Sequence, residues 1–151
     1  KHDDGVHAAV EREEIQVIFV LYGDICTIPE IVDRIKDSGK KALVHIDLIA
    51  GLSTKEISVE FIRRQTKADG IITTKPALVR RANLESQRGM SRPDFIEVLP
   101  GVMPKVLRKI AKVSRIPMIA GGLVTDREDV IQALSAGAVA VSTTNREVWT
   151  L

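Results

Sequence analysis

Two short segments of this chain have the residue types and spacing to hold an anion. Gly121-Gly122-Leu123 follows an apolar run and precedes Thr125. Glycines there let the backbone come close to an anion while successive amides point at its oxygens. Ser142-Thr143-Thr144-Asn145 lies between another apolar run and the start of a helix, adding hydroxyl donors to amides and a favourable helix dipole. Either segment alone reads as a tight turn with an N-cap. Together they are expected to form a phosphate cup of Gly121, Gly122, Leu123, Thr143, Thr144 and Asn145.

Other polar groups fall where apolar runs end: Asp24, His45, Asp47, Lys75 and Glu97. His45 and Asp47, two apart on one strand, are expected to face the same way, with the carboxylate free to accept from ligand hydroxyls. Lys75 suits a phosphate or a carboxylate. Glu97 interrupts an apolar strand, where a carboxylate is costly unless paired or ligand-bound. The same residues also suit an enzyme, with Glu97 as general base and Lys75 as electrostatic stabiliser or Schiff-base nucleophile. A structural ion-pair network is the plainer alternative. No metal-ligand pattern occurs, His2 and His7 read as surface residues, and Cys26 reads as a small buried filler with no partner base.

The elements that must position these groups are legible as alternating patterns. Apolar runs at Val17-Leu21, Ala42-Val44, Gly70-Ile72, Phe95-Leu99, Met118-Ala120 and Ala138-Val141 suit strands of a parallel sheet buried on both faces. Thr27-x-x-Glu30, Ser53-x-x-Glu56 and Thr125-x-x-Glu128 read as capping boxes. Behind them Ile28, Ile31, Val32 and Ile35 recur at helical spacing, as do Val130, Ile131 and Leu134, with Val106, Ile110 and Val113 behind Pro104. Glycines at 39, 70 and 137 are placed to close helices. The chain is therefore α/β, and functional groups of parallel α/β folds collect at strand carboxyl ends. A doubly wound sheet fits the length, whereas a closed eight-unit barrel usually takes about 200 residues or more.

The 151 residues suit one domain, 1–151, with a proper core. A composition 44% hydrophobic and 28% charged is that of a globular protein, with no apolar run near the roughly 18 residues of a membrane span. With no secretory segment and one cysteine, a cytoplasmic setting is expected. A net charge of +2 does not mark a dedicated nucleic-acid binder. Basic residues cluster at Arg63-Arg64, at Arg80-Arg81, at Arg88 with Arg92, and from Lys105 through Arg108, Lys109 and Lys112 to Arg115. Taken alone, these are solvated helix faces.

The motifs in combination resemble a known family. They are Gly23-Asp24, His45-Ile46-Asp47-Leu48, Asp69-Gly70-Ile71-Ile72-Thr73-Thr74-Lys75, Asp94-Phe95-Ile96-Glu97-Val98-Leu99-Pro100-Gly101, Ile119-Ala120-Gly121-Gly122-Leu123 and Ser142-Thr143-Thr144-Asn145 with Trp149. The chain resembles the glycerol-3-phosphate-responsive antiterminator regulators of glycerol uptake operons, over nearly its whole length. The resemblance implies a TIM-like (β/α) barrel that senses glycerol 3-phosphate and binds leader mRNA, a regulator without catalysis or cofactor. It implies phosphate held by Gly121, Gly122, Thr143, Thr144 and Asn145, with Asp47, Lys75 and Glu97 around the glycerol part. Strands equivalent to the first and fifth are not found, the second break falling near Leu84 to Ser86. The alternative is a barrel lyase or isomerase acting on a small phosphorylated polyol. Arg80, Arg81, Arg88 and Arg92 are the first RNA candidates, because they crowd the segment after Lys75. No membrane partner is expected, and a homo-oligomer stays open.

Overall fold

The computed structural model describes residues 3–85 and 93–150. The chain divides into two compact units, Lys1–Arg92 and Pro93–Leu151. The first runs α1 (Asp3–Val10), β1 (Val17–Val20), α2 (Ile28–Asp37), β2 (Lys41–His45), a 3-10 turn (Ile46–Leu48), α3 (Ile57–Gln65), β3 (Gly70–Ile72) and α4 (Pro76–Glu85). The second runs β4 (Ile96–Val98), α5 (Pro104–Val113), β5 (Met118–Gly121), α6 (Arg127–Ser135), β6 (Ala140–Ser142) and a closing 3-10 turn (Arg146–Thr150). All six apolar runs are strands.

Each unit holds a three-stranded parallel sheet, in the order β1-β2-β3 and β4-β5-β6. Val17 lies opposite Lys41 and Leu43 opposite Gly70; Ile96 lies opposite Met118 and Gly121 opposite Ser142. A doubly wound sheet reverses its strand order at a switch point. Each order is sequential, as in a barrel and equally in either half of a doubly wound sheet of order 3-2-1-4-5-6, and the expected closed barrel is not formed among the described residues.

Burial departs from the expected continuity. β1 and β2 alternate, with Ile18, Val20, Ala42 and Val44 buried and Val17 and Lys41 exposed, so one face carries the packing. α2 lies against β2 through its stripe Ile28, Ile31, Val32 and Ile35, all buried as its periodicity predicts. In the second unit the core is Leu107, Met118, Ala120, Ala133, Ala136 and Ala138, with Ile96, Val98, Ile110, Ala111 and Val141 against it. The inward faces of α5 and α6 are thus set by Leu107 and Ala133. Of the positions expected to face inward, Val106, Val113, Ile131 and Leu134 are exposed.

Helix starts also differ from the expected capping boxes. Thr27 makes no cap bond; Asp24 Oδ1 accepts from the amides of Cys26 (2.8 Å) and Thr27 (2.9 Å) ahead of α2. α3 begins at Ile57 after Glu56, leaving Ser53 outside the helix. At α6 the box slides by one residue: Asp126 accepts from the Asp129 amide, and Asp129 accepts from the amide and hydroxyl of Thr125. Short acidic side chains won these caps because their carboxylates reach the amides and carry a charge the dipole favours. α2 and α6 end at Gly39 and Gly137 as expected, whereas α3 ends at Thr66, well before Gly70.

Two long-reach polar contacts fix the first unit at the end remote from the strand carboxyl ends. Lys40, buried, donates to the carbonyls of Arg12 (2.6 Å) and Ile15 (2.8 Å), which compensates its desolvated ammonium and pins the turn between α1 and β1. Asp69 accepts from Lys36 (2.8 Å) and from the Ala42 amide (2.9 Å), joining α2 to β2 and β3.

Candidate functional site

In the first unit the chain bends at the end of β2, so His45 and Asp47 do not share a strand as expected. Asp47 stands on the 3-10 turn, where its carboxylate accepts from the Thr73 hydroxyl (2.9 Å), the Thr74 amide (2.7 Å) and the Thr74 hydroxyl (3.0 Å). Partial burial pushes its pKa up; the Thr74 amide, both threonine hydroxyls and nearby His45 outweigh that and hold it below the usual carboxylate range. Asp47 therefore clamps the end of β3, chiefly through Oδ2, with Oδ1 accepting from the Thr73 hydroxyl. His45 Nδ1 is buried without a hydrogen-bond partner among the described residues. Lys75 is exposed at the start of α4, and its amide donates to the Thr73 hydroxyl (3.0 Å).

The ends of β1 and β2 are zipped together. Ile25 N–H donates to the Ala50 carbonyl (3.0 Å) and Ala50 N–H to the Gly23 carbonyl (2.9 Å). Asp24 is held by its own turn: hydrogen bonds from the Cys26 and Thr27 amides and the Thr27 hydroxyl lower its pKa against a small opposing effect of desolvation. Cys26 is exposed, not the buried filler expected.

The second unit contains the phosphate-cup segments. Glu97 on β4 and Ser142 at the end of β6 lie across Gly121 of β5, and Ser142 Oγ donates to Glu97 Oε1 at 2.5 Å. A Cβ on Gly121 would collide with Glu97 Oε1 and lie 2.5 Å from Ser142 Oγ. Glycine at 121 therefore serves this side-chain bridge, a reason different from the close approach of an anion. Gly122 and Leu123 follow with φ of 73° and 60°. Their successive left-handed backbones turn the chain so that the amides of Gly122 and Leu123 donate to nothing among the described residues. The Thr144 amide is likewise free.

Thr143 and Asn145 brace the two loops. Thr143 Oγ1 donates to the Val124 carbonyl (2.7 Å), Asn145 Nδ2 to the Thr125 carbonyl (2.5 Å), and Trp149 Nε1 to the Thr143 carbonyl (3.0 Å). The β3 and β6 ends share one device. In each, the first threonine of a Thr-Thr pair accepts from the amide two residues on, Lys75 or Asn145, and donates back to an earlier strand end, Asp47 or Val124. Sequence reasoning gave no bonding role to Thr73, Thr74 or Trp149, and read Ser142 as an anion donor and not as the partner of Glu97. The repeated Ile/Val-x-Thr-Thr pattern at 71–74 and 141–144 was the available signal for the threonines.

Of the arginines expected to meet RNA, Arg80 is exposed on α4, while Arg81 lies 3.8 Å from Glu56 and 3.9 Å from Glu60 of α3. Arg88 and Arg92, like His2 and part of the break near Leu84 to Ser86, lie outside the described residues. Among the described residues no group of histidine, cysteine and carboxylate side chains could hold a metal ion, and no helix is long and apolar enough to cross a membrane.

Fold and site together define a parallel α/β protein of sequentially wound βα units, with its polar side chains gathered at the strand carboxyl ends. A family model described as glycerol-3-phosphate responsive antiterminator matches residues 1–90 and 83–149, and the chain belongs to that family. An uncharacterized protein YgcP of Escherichia coli (strain K12) is 47% identical over 171 aligned positions, covering 100% of this chain and 89% of that protein. The crystal structure of a glycerol uptake operon antiterminator regulatory protein from Listeria monocytogenes str. 4b F2365 superposes with a TM-score of 0.89 at 28% identity, over 97% of this chain and 90% of that one. A glycerol uptake operon antiterminator-related protein from Thermotoga maritima MSB8 gives 0.82 at 31% identity, over 98% and 93%. The two family matches overlap at 83–90, so continuity with the family pattern breaks there. The YgcP alignment is 20 positions longer than the 151-residue chain.

Proposed function

We propose that this protein is a transcription antiterminator that binds glycerol 3-phosphate at the β5 and β6 loops and, so loaded, binds leader mRNA. The observation that carries the reading is the pair of braced loops with three amides, at Gly122, Leu123 and Thr144, that have no hydrogen-bond partner among the described residues. Amides fixed in advance suit an anion because no loop ordering opposes binding. Thr143 and Asn145 then act as braces, and the exposed Thr144 hydroxyl is the side-chain donor at hand. Within the same unit Glu97, aimed by Ser142, is the acceptor for glycerol hydroxyls. In the first unit Asp47 clamps Thr73 and Thr74 just ahead of the exposed Lys75.

The family description and the two glycerol uptake operon relatives support a regulator of glycerol genes over an enzyme. The architecture that goes with this reading is a single (β/α)-barrel-like domain, 1–151, with strands equivalent to the first and fifth not found in the sequence, in a cytoplasmic setting where transcripts are made. Calorimetric titration with glycerol 3-phosphate and with inorganic phosphate tests the site. Gly122→Val, which puts a branched side chain on a left-handed backbone beside the free amides, is expected to abolish both while the fold stays cooperative. Unchanged affinity would place the anion elsewhere. Turnover of triose or glycerol phosphates at about 1 per second or faster would replace the sensor by an enzyme.

A further inference from the structure

We propose that the outer face of α5, formed by Lys105, Arg108, Lys109 and Lys112 with Arg115 just beyond its end, is a contact surface for a nucleic-acid backbone. The four helical residues fall at i, i+3, i+4 and i+7, one stripe on one side. Leu107, Ile110 and Ala111 occupy the opposite side and pack into the core of the second unit. All five cations are exposed, and none has an ion-pair partner among the described residues.

The surrounding sequence leaves that charge uncompensated. From Val98 through Thr125 there is no aspartate or glutamate. The neighbouring patterns differ: α2 interleaves Glu30, Asp33 and Asp37 with Arg34 and Lys36, α3 pairs Glu60 with Arg64, and Arg81 of α4 is turned towards Glu56 and Glu60. An ordinary solvated helix face has no use for this arrangement. Lys105 and Lys109, and Arg108 and Lys112, are like charges four residues apart, which weakens a helix. Lys105 also lies in the first turn, where the dipole disfavours a cation. The stripe runs about 10 Å along the helix, roughly one Debye length at moderate salt, so its charges act on a partner together.

Phosphodiester backbone is the polyanion that fits. The stripe carries no aromatic residue, so it suits phosphate contacts that position an RNA and not stacking on its bases. A lipid surface would need a broad, continuous apolar face, whereas α5 commits Leu107 to the core and leaves Val106 and Val113 as its exposed large apolar side chains. The identification of the partner as RNA rests on the proposed antiterminator function. The location on α5 rests on the charge pattern alone, and it moves the main contact away from Arg80 and Arg81.

The test is titration of labelled polyuridine and of an RNA hairpin across a salt series, with saturating glycerol 3-phosphate. It compares the parent with Lys105→Gln, Arg108→Gln, Lys109→Gln and Lys112→Gln combined; glutamine keeps helix propensity. Losing four single-strand phosphate contacts should flatten the log K against log salt slope by about 2.8 and weaken binding on the order of 100-fold near physiological salt. Arg108→Gln alone should flatten it by about 0.7, which keeps the test sound if the quadruple variant is poorly folded. Glycerol 3-phosphate affinity should not change. Parallel salt lines for parent and variants would overturn the α5 assignment and leave RNA binding standing. No RNA binding by the parent at any salt would overturn both, and binding to phosphatidylserine vesicles in its place would assign the stripe to a membrane.

Discussion

At the scale of single residues, the second unit turns on what glycine permits at position 121. The Glu97–Ser142 hydrogen bond crosses directly over it, and a methyl group there must displace one partner. Gly121→Ala is expected to destabilise the protein by about 1–3 kcal/mol, the usual cost of overpacking a close contact. Ser142→Ala in the same chain should recover part of that loss, because it removes one of the three atoms the methyl meets, the other two belonging to Glu97. Chemical denaturation of the two single variants and the double variant measures the coupling, and strict additivity would show that the methyl clashes with something else. In the first unit the residue to watch is Asp47. Its folded pKa is depressed, so its contribution is present above the unfolded carboxylate value and is lost as pH falls through the folded one. Asp69, depressed through its bonds from Lys36 and the Ala42 amide in spite of partial burial, behaves with the same sign. Asp47→Asn should cost about 1–2 kcal/mol at neutral pH and make stability less steep below pH 5. Melting curves from pH 7 to 3 check this, and an unaltered profile would mean that Asp47 holds no clamp.

At the scale of elements, the two site loops are only as firm as the bonds between them. Trp149 reaches back from the closing turn to the Thr143 carbonyl, and Asn145 bonds the Thr125 carbonyl. Trp149→Phe keeps the ring's bulk and removes the indole donor, so about 1 kcal/mol of loop bracing should be lost. The expected result is a several-fold weaker affinity for glycerol 3-phosphate and for inorganic phosphate alike, read by calorimetry. A loss confined to glycerol 3-phosphate would put Trp149 in contact with the glycerol part. The elements were legible in the sequence to the extent that one local force controls each. All six strands were visible as apolar runs, because burial of a strand needs only local hydrophobicity. The α2 stripe was visible too, its four isoleucine and valine positions agreeing with its packing. The inward faces of α5 and α6 were misread, since the larger Val113, Ile131 and Leu134 are exposed and mask the small Ala133 that is buried. The caps were misread for a related reason: Thr27, Ser53 and Thr125 match a pattern, yet Asp24 and Asp126 reach the amides. At the site, glycine and threonine positions were legible by type. Their partners, Thr73 to Asp47, Thr143 to Val124 and Ser142 to Glu97, lie 19 to 45 residues apart and follow only from register.

At the scale of the whole molecule, the open question is how the two units respond to a ligand whose proposed donors all lie in one of them. A ligand that binds the folded state alone raises stability by about 2.7 kcal/mol at 100 times its dissociation constant. For a chain of 151 residues each kcal/mol moves the melting temperature by about 2–4 °C, so saturating glycerol 3-phosphate should raise it by about 5–10 °C. If residues 1–151 fold as one domain, calorimetry will show a single transition and all of it will shift. The amides of Gly122, Leu123 and Thr144 would then stabilise β1 to β3 as much as β4 to β6, although no bond from the ligand need touch them. Two transitions, of which only one moves, would instead show that Lys1–Arg92 and Pro93–Leu151 melt separately and that the ligand belongs to the second unit. Gly122→Val supplies the control, since it should melt normally without ligand and show no shift with it. A shift that survives in Gly122→Val would mean that glycerol 3-phosphate stabilises the protein from a different place, and the braced loops of β5 and β6 would lose their role as the sensor.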